Sequence, residues 1–465
     1  MLSDAFGTLI VRAIGIVLIF VSTTLTARLL GPTEFGTYSA ALALALLLAT
    51  LAPMGTDRIL VRNLSTVRNH EEAGHETAIA HICTAIVAML LLCGCLSAWL
   101  VNALILDNQK WAQTALLASI LFLPLTVTYL RQWVAIPLIG TRRAVLPEQT
   151  ILPLVFTSLI FVVFAAGLPF SSLSTAILYA AIMLVVWVGS LATKPLRSAY
   201  LSALRARPRP ESSVRQRIID GIPFVSVAIG GVLSQTCMPL VIAATCGFDE
   251  TAHFALAMPY AALPAIPLGI FNLSMIPRCA RHFQNGEFAE ANHAVRSAAT
   301  ATFVLSALIS LCTLTLSPWL VLLLGESYAP VCRLFPALLL AAIVDCLTGP
   351  TIPVMQTMRM EKSYSRALFA YFPIQVGLIY LFGKHAGIEG AALAYLIARC
   401  LWNVIVLIQI YQVRGLVMLP YLHMSRAIHE WSAGLSGDHR RTTARHQSWI
   451  PVSIPEPKSE VLRAA

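Results

Sequence analysis

Apolar runs long enough to cross a bilayer recur along almost the whole chain, and this recurrence limits the fold more than any other feature. Phe6–Leu30 is followed after a short break by 37–55, then by 81–105, 112–138, 148–168 and 173–192. After a basic interruption the pattern resumes at 218–243, 252–276, 296–323, 331–357, 366–383 and 389–411. A helix needs roughly 20 mostly apolar residues to span the hydrocarbon core. Composition supports the same reading: 12% of the 465 residues are charged, against about 25% in a soluble domain. Mean hydropathy is +0.76. A chain this long with so little charge cannot cover a water-facing surface. The expected fold is an all-α polytopic membrane protein with about 12 transmembrane helices, its first run too long for a signal-peptide core of about 7–15 residues.

The runs fall into two groups of six. This predicts an N-terminal six-helix lobe over 1–192, a basic linker over 193–217, a C-terminal six-helix lobe over 218–411 and a polar tail over 412–465. The linker, TKPLRSAYLSALRARPRPESSVRQR, alternates Arg and Pro in its second half, which opposes a helix there. The start of the tail, LVMLPYLHMSRAIHEWSAGL, suits an interfacial helix, and its end suits disorder. Six plus six is a common transporter plan, although no residue-level repeat links the halves.

The first hairpin turn is unusually sharp. In RLLGPTEFGTYSA, Gly31 suits a left-handed helix end, Pro32 stops continuation, and Gly36 frees the chain to re-enter. Most of the 32 Lys and Arg fall in segments on one side of this topology, including Arg58, Arg62, Arg142, Arg143 and the linker. By the positive-inside rule that side is cytoplasmic, as are both termini. The net charge of +10 is then explained by basic loops facing anionic lipid, and no nucleic-acid partner is needed. The ten cysteines sit singly or as Cys93-Gly-Cys95, mostly inside apolar runs. They read as small hydrophobes, and without paired CxxC spacing no metal site is expected.

Charged groups inside spans are costly and face a partner or a cavity. Arg399 and Asp345 lie mid-span and form either a structural ion pair or part of a cationic cavity. Asp345 and Asp220 are also candidates to carry a proton or cation. Arg131 either snorkels to the interface or joins the uncharged Gln235, Asn272 and Gln375 as polar cavity groups. Arg12 has the same two readings. Guanidinium groups bind phosphate oxygens bidentately and stay charged, so several in one cavity suit a pyrophosphate. Prolines at 124, 223, 239, 259, 264, 267, 350 and 353 interrupt spans, as in broken cavity-lining helices or in ordinary bundle packing. No nucleotide-binding, metalloprotease or hydrolase motif is present, so neither an enzyme nor a cofactor is expected.

Three stretches carry a resemblance. ARLLGPTEFGTYSAALA followed by LAPMGTDRILVRNLS is similar to the first hairpin of Wzx-type polysaccharide flippases, in the MOP exporter superfamily. LLGESYAPVCRLFPALLLAA and AGIEGAALAYLIAR resemble that family's tenth and twelfth spans. The resemblance implies two lobes around a central cavity that alternate access, in a MOP/MATE-like fold of the bacterial inner membrane. It implies an undecaprenyl-pyrophosphate-linked glycan as substrate, with surrounding membrane lipids, and a polysaccharide polymerase and chain-length or export proteins as partners. Arg12, Arg58, Arg62 and Arg399 are the expected pyrophosphate-binding residues. Two other readings stand beside it. One is a MATE-like exporter of small cations, which favours acidic sites. The other is a non-transporting scaffold of a polysaccharide assembly complex, which leaves intramembrane charges idle.

Overall fold

The computed structural model describes residues 2–66, 70–205, 214–221, 236–358, 360–416 and 418–421. Among them every regular element is a helix. Among the described residues nine helices are long and apolar enough to cross a membrane. Two of these are helix pairs joined at a glycine. Helix α1, Leu2–Leu51, breaks at Gly31, where φ is 72° and ψ is 172°. The last long helix, Glu361–Arg414, breaks at Ala386 and Gly387, with φ of 62° at the glycine. These backbone angles are open to glycine and strained for other residues. The expected seventh span, 218–243, lies mostly outside the described residues.

The first turn differs from expectation in one respect. Gly31 makes the break alone, and Gly36 is already helical. A Cβ on Gly36 would lie 1.8 Å from the Phe248 carbonyl oxygen. Gly36 is therefore required by close helix approach rather than by the turn. Glu34 fixes the same corner. Its carboxylate accepts from the Ser172 hydroxyl at 2.5 Å and the Ser172 amide at 3.1 Å. This places a negative charge on the exposed amides at the start of a helix, where the backbone dipole favours it.

The remaining elements, in chain order, are as follows. Helix α2 is Thr56–Leu64, α3 is His70–Leu104, α4 is Gln109–Ile139 and α5 is Thr141–Ala165, which contains a π turn at Pro147–Ile151. Helices α6, Ser172–Ser190, and α7, Lys194–Arg205, follow. Next come α8, Met238–Thr245, α9, Phe248–Ala261, and α10, Ile266–Gln284. Helix α11 is Phe288–Leu324, and a 3₁₀ turn, Glu326–Tyr328, leads to α12, Val331–Leu347. Helices α13, Thr351–Thr357, and α14, Glu361–Arg414, complete the order.

The chain forms two compact units. One comprises Met1–Pro259, Trp319–Val331 and Ile379–Ile388; the other comprises Tyr260–Pro318, Cys332–Leu378 and Glu389–Ala465. The first unit has a core of Leu60, Leu130, Val134 and Leu196 near the basic ends of its helices. In the second, Tyr371, Trp402, Val406 and Ile410 pack with Met355 and Leu368. Both units leave many large apolar side chains exposed along α3, α5 and α11, such as Leu90, Phe161 and Leu311. That pattern suits helices whose solvent is lipid. All ten cysteines are free thiols.

Candidate functional site

In the first unit, a corner at Met54 and Gly55, both with positive φ, separates α1 from α2. Helix α2 is short and strongly two-faced: Ile59, Leu60 and Leu64 are buried, while Arg58 and Arg62 are exposed one turn apart. This follows from the sequence TDRILVRNL, whose apolar and basic residues repeat at helical spacing.

The arginine on the first turn is held from two sides. The Arg58 guanidinium lies over the Trp133 ring at 4.2 Å, a cation–π contact that fixes its plane. Its Nε is 3.7 Å from an Asp57 carboxylate oxygen. Asp57 itself is buried, and the Tyr129 hydroxyl donates to it at 3.4 Å. Burial pushes the Asp57 carboxyl above its usual range, and the charge of Arg58 partly offsets this. The result is an oriented, half-exposed guanidinium with Arg62 next to it. Behind them, Glu76 accepts from Arg217 at 2.8 and 2.9 Å and from Asn63 at 2.8 Å. The helical segment 214–221 is thereby tied to α2 and α3.

Arg131 turns inward and is 1% exposed. It donates to both carboxylate oxygens of Glu148, at 2.7 and 2.5 Å, and to the Ala144 carbonyl at 2.6 Å. Asp220 lies on 214–221, exposed, and accepts from Gln216 at 2.9 Å. Arg12 lies within α1, but its side chain is outside the described residues, and Gln235 is outside them altogether.

In the second unit, Arg399 and Asp345 meet. Arg399 donates through Nε at 3.1 Å and through Nη2 to the same carboxylate oxygen. Asn403 donates to the other oxygen at 2.7 Å and accepts from Thr348 at 2.7 Å. Asp345 is thus occupied on both sides, and Arg399 spends two donors on it. The two side chains are therefore in direct contact as an ion pair. Gln375 is fully buried, one turn from Tyr371 on α14. Asn272 is half-buried, and its Oδ1 has no hydrogen-bond partner among the described residues.

The structure therefore groups Arg58 with Arg62 and pairs Asp345 with Arg399. Sequence reasoning missed Trp133, Asp57 and Tyr129 as supports of Arg58. The signal was present only as i, i+4 spacing of Tyr129 and Trp133 on α4, with nothing to show which residue they face.

A family model described as "Polysaccharide biosynthesis protein" matches residues 1–283. None of the curated proteins matches the chain. Among solved structures, an inward-facing multidrug resistance MATE family transporter of the MOP superfamily is similar over 86% of this chain and 97% of its own, at 16% identity and a TM-score of 0.66. The lipid II flippase MurJ, in an inward closed conformation, is similar over 88% and 87%, at 13% identity and a TM-score of 0.64. A MOP superfamily transporter from Pyrococcus furiosus follows over 87% and 93%, at 12% identity and a TM-score of 0.57. At these identities the likeness is one of fold.

Proposed function

The chain belongs to the polysaccharide biosynthesis protein family, and on that premise we propose that it flips undecaprenyl-pyrophosphate-linked oligosaccharide units from the cytoplasmic to the periplasmic leaflet. It does so in a bacterial inner membrane, with both termini cytoplasmic, twelve spans in two six-span lobes, and alternating access. The flipped units feed a polysaccharide polymerase and its chain-length and export partners.

One observation carries the reading. Two exposed arginines stand one turn apart on α2, within the family-matched region, and one of them is oriented by an aromatic face. A pyrophosphate offers several oxygens to such a pair, and bidentate arginine contacts are among the strong hydrogen bonds. Arg12 is the third cation of the proposed site. Arg399 has a different standing, because its guanidinium is already engaged by Asp345. The match of residues 1–283 to the polysaccharide biosynthesis family supports a glycan-related cargo over a small soluble cation.

At normal expression, Arg58→Gln and Arg62→Gln are each expected to lower polymer export about tenfold or more. Losing a hydrogen bond to a charged group costs about 1.5–3 kcal/mol, and about 1.4 kcal/mol is tenfold. Lysine at either position is expected to retain more export, because charge survives while the fork is lost. Wild-type export by the Arg12, Arg58 and Arg62 glutamine variants alike would remove the site.

A further inference from the structure

Beyond α14 the chain crosses onto α11 within the second unit. Gly415, with φ of 66°, closes α14, and its amide donates to the Tyr411 carbonyl at 2.7 Å. This is the left-handed stop that glycine supplies at helix ends. Past it, Leu416 and Met418 are 5% and 1% exposed. They share one buried cluster with Met275 and Cys279 of α10, Val354 and Met355 of α13, and Val406 and Ile410 of α14.

Polar contacts to α11 continue the seat. Arg296 donates through Nε to the Leu419 carbonyl at 3.1 Å, and its guanidinium lies over the Tyr421 ring at 4.3 Å. The Tyr421 amide donates to the Thr300 hydroxyl at 3.0 Å. The His293 ring packs on Tyr421 with centroids 5.6 Å apart. The described residues of 415–421 form neither helix nor strand, and Pro420 opposes both. Their backbone groups are therefore met by side chains of α11, not by a ladder. Between the anchors, Leu419 is exposed. Two apolar anchors, an aromatic anchor and side-chain bonds to the backbone are how a groove holds an extended peptide.

We propose that residues 416–421 are a peptide ligand the chain supplies to itself, and that the groove over α10 and α11 is a peptide-binding site they fill and vacate as a unit. Docked, the tail closes the cluster that holds the Cys279 thiol, 0% exposed, and pins Arg296 against Tyr421. Undocked, it leaves an apolar groove beside a freed guanidinium. That groove takes an extended peptide with apolar side chains two residues apart and an aromatic ring three residues further on. In the orientation proposed above, the groove lies at the cytoplasmic end. It is separate from the Arg12, Arg58 and Arg62 site, which belongs to the first unit.

The test is thiol labelling of the full chain in lipid nanodiscs with N-ethylmaleimide, resolved by peptide mass spectrometry. Cys279 reports the groove, and Cys346 of α12, also 0% exposed, reports unfolding of the same unit. Met418→Ser removes one apolar anchor, and Cys279 is expected to label about tenfold faster or more, with Cys346 unchanged. Tyr421→Ala, which leaves the buried cluster intact, is the milder second variant and is expected to act in the same direction. A synthetic peptide of residues 415–425, added to either variant, is expected to slow Cys279 labelling again. The same peptide with alanine at positions 416, 418 and 421 is expected to have no effect. Cys279 labelling at the wild-type rate in both variants overturns the proposal. So does joint labelling of Cys279 and Cys346, which makes the tail an inseparable part of the core, or a peptide that gives no protection. The readout involves no transport, so failure of the flippase reading would leave this result intact, and the converse also holds.

Discussion

Arg131→Met is expected to destabilise the protein by about 3–5 kcal/mol, the usual cost of removing one member of a buried ion pair. The arginine is 1% exposed and joins α4 to α5 across the π turn through Glu148 and the Ala144 carbonyl. Its loss leaves a largely buried carboxylate without a counter-charge and a carbonyl without its donor. Such a loss is large against the roughly 5–15 kcal/mol that holds a typical domain together. Thermal unfolding in detergent measures it. The double variant Arg131→Met, Glu148→Leu is expected to recover much of the loss, since apolar replacement of a whole buried pair is often neutral. A single variant as stable as wild type would show that the pair does not brace this corner.

Asp345→Leu is expected to have a comparable effect, about 3–5 kcal/mol, in the second unit. Asp345 accepts from Arg399 on one oxygen and from Asn403 on the other. Removing it strands a guanidinium between α12 and α14 and frees the Asn403 amide. Asn403 still accepts from Thr348, so the damage centres on the charge. The double variant Asp345→Leu, Arg399→Met is expected to regain most of the stability, read by the same unfolding measurement. If the double variant is no more stable than the single, the uncompensated charge is not what destabilises it.

The chain reads clearly wherever a property belongs to one segment. Apolar runs identify the membrane helices because lipid imposes a length and a composition on each helix separately. Gly31 is legible as a break because glycine alone tolerates that backbone. Contacts between segments are another matter. Gly36 reads as part of the turn, yet its missing Cβ serves Phe248, more than 200 positions away. Arg131 offers two plausible destinations from sequence, and its partner lies beyond the next turn. Arg399 and Asp345 could be paired on paper only because intramembrane charges are few. Trp133 beneath Arg58 and Ser172 on Glu34 carry no mark in the sequence, since aromatic rings and hydroxyls are common and only docking selects among them.

The central claim is that this chain moves a pyrophosphate-linked glycan across the inner membrane. The most direct measurement is in a deletion strain: extract the undecaprenyl-linked intermediates and determine which leaflet holds them. The account predicts complete repeat units accumulating on the cytoplasmic leaflet, with surface polysaccharide lost and both effects reversed by the wild-type chain. Lipid-linked pools of normal size and distribution, together with normal surface polysaccharide, would contradict it.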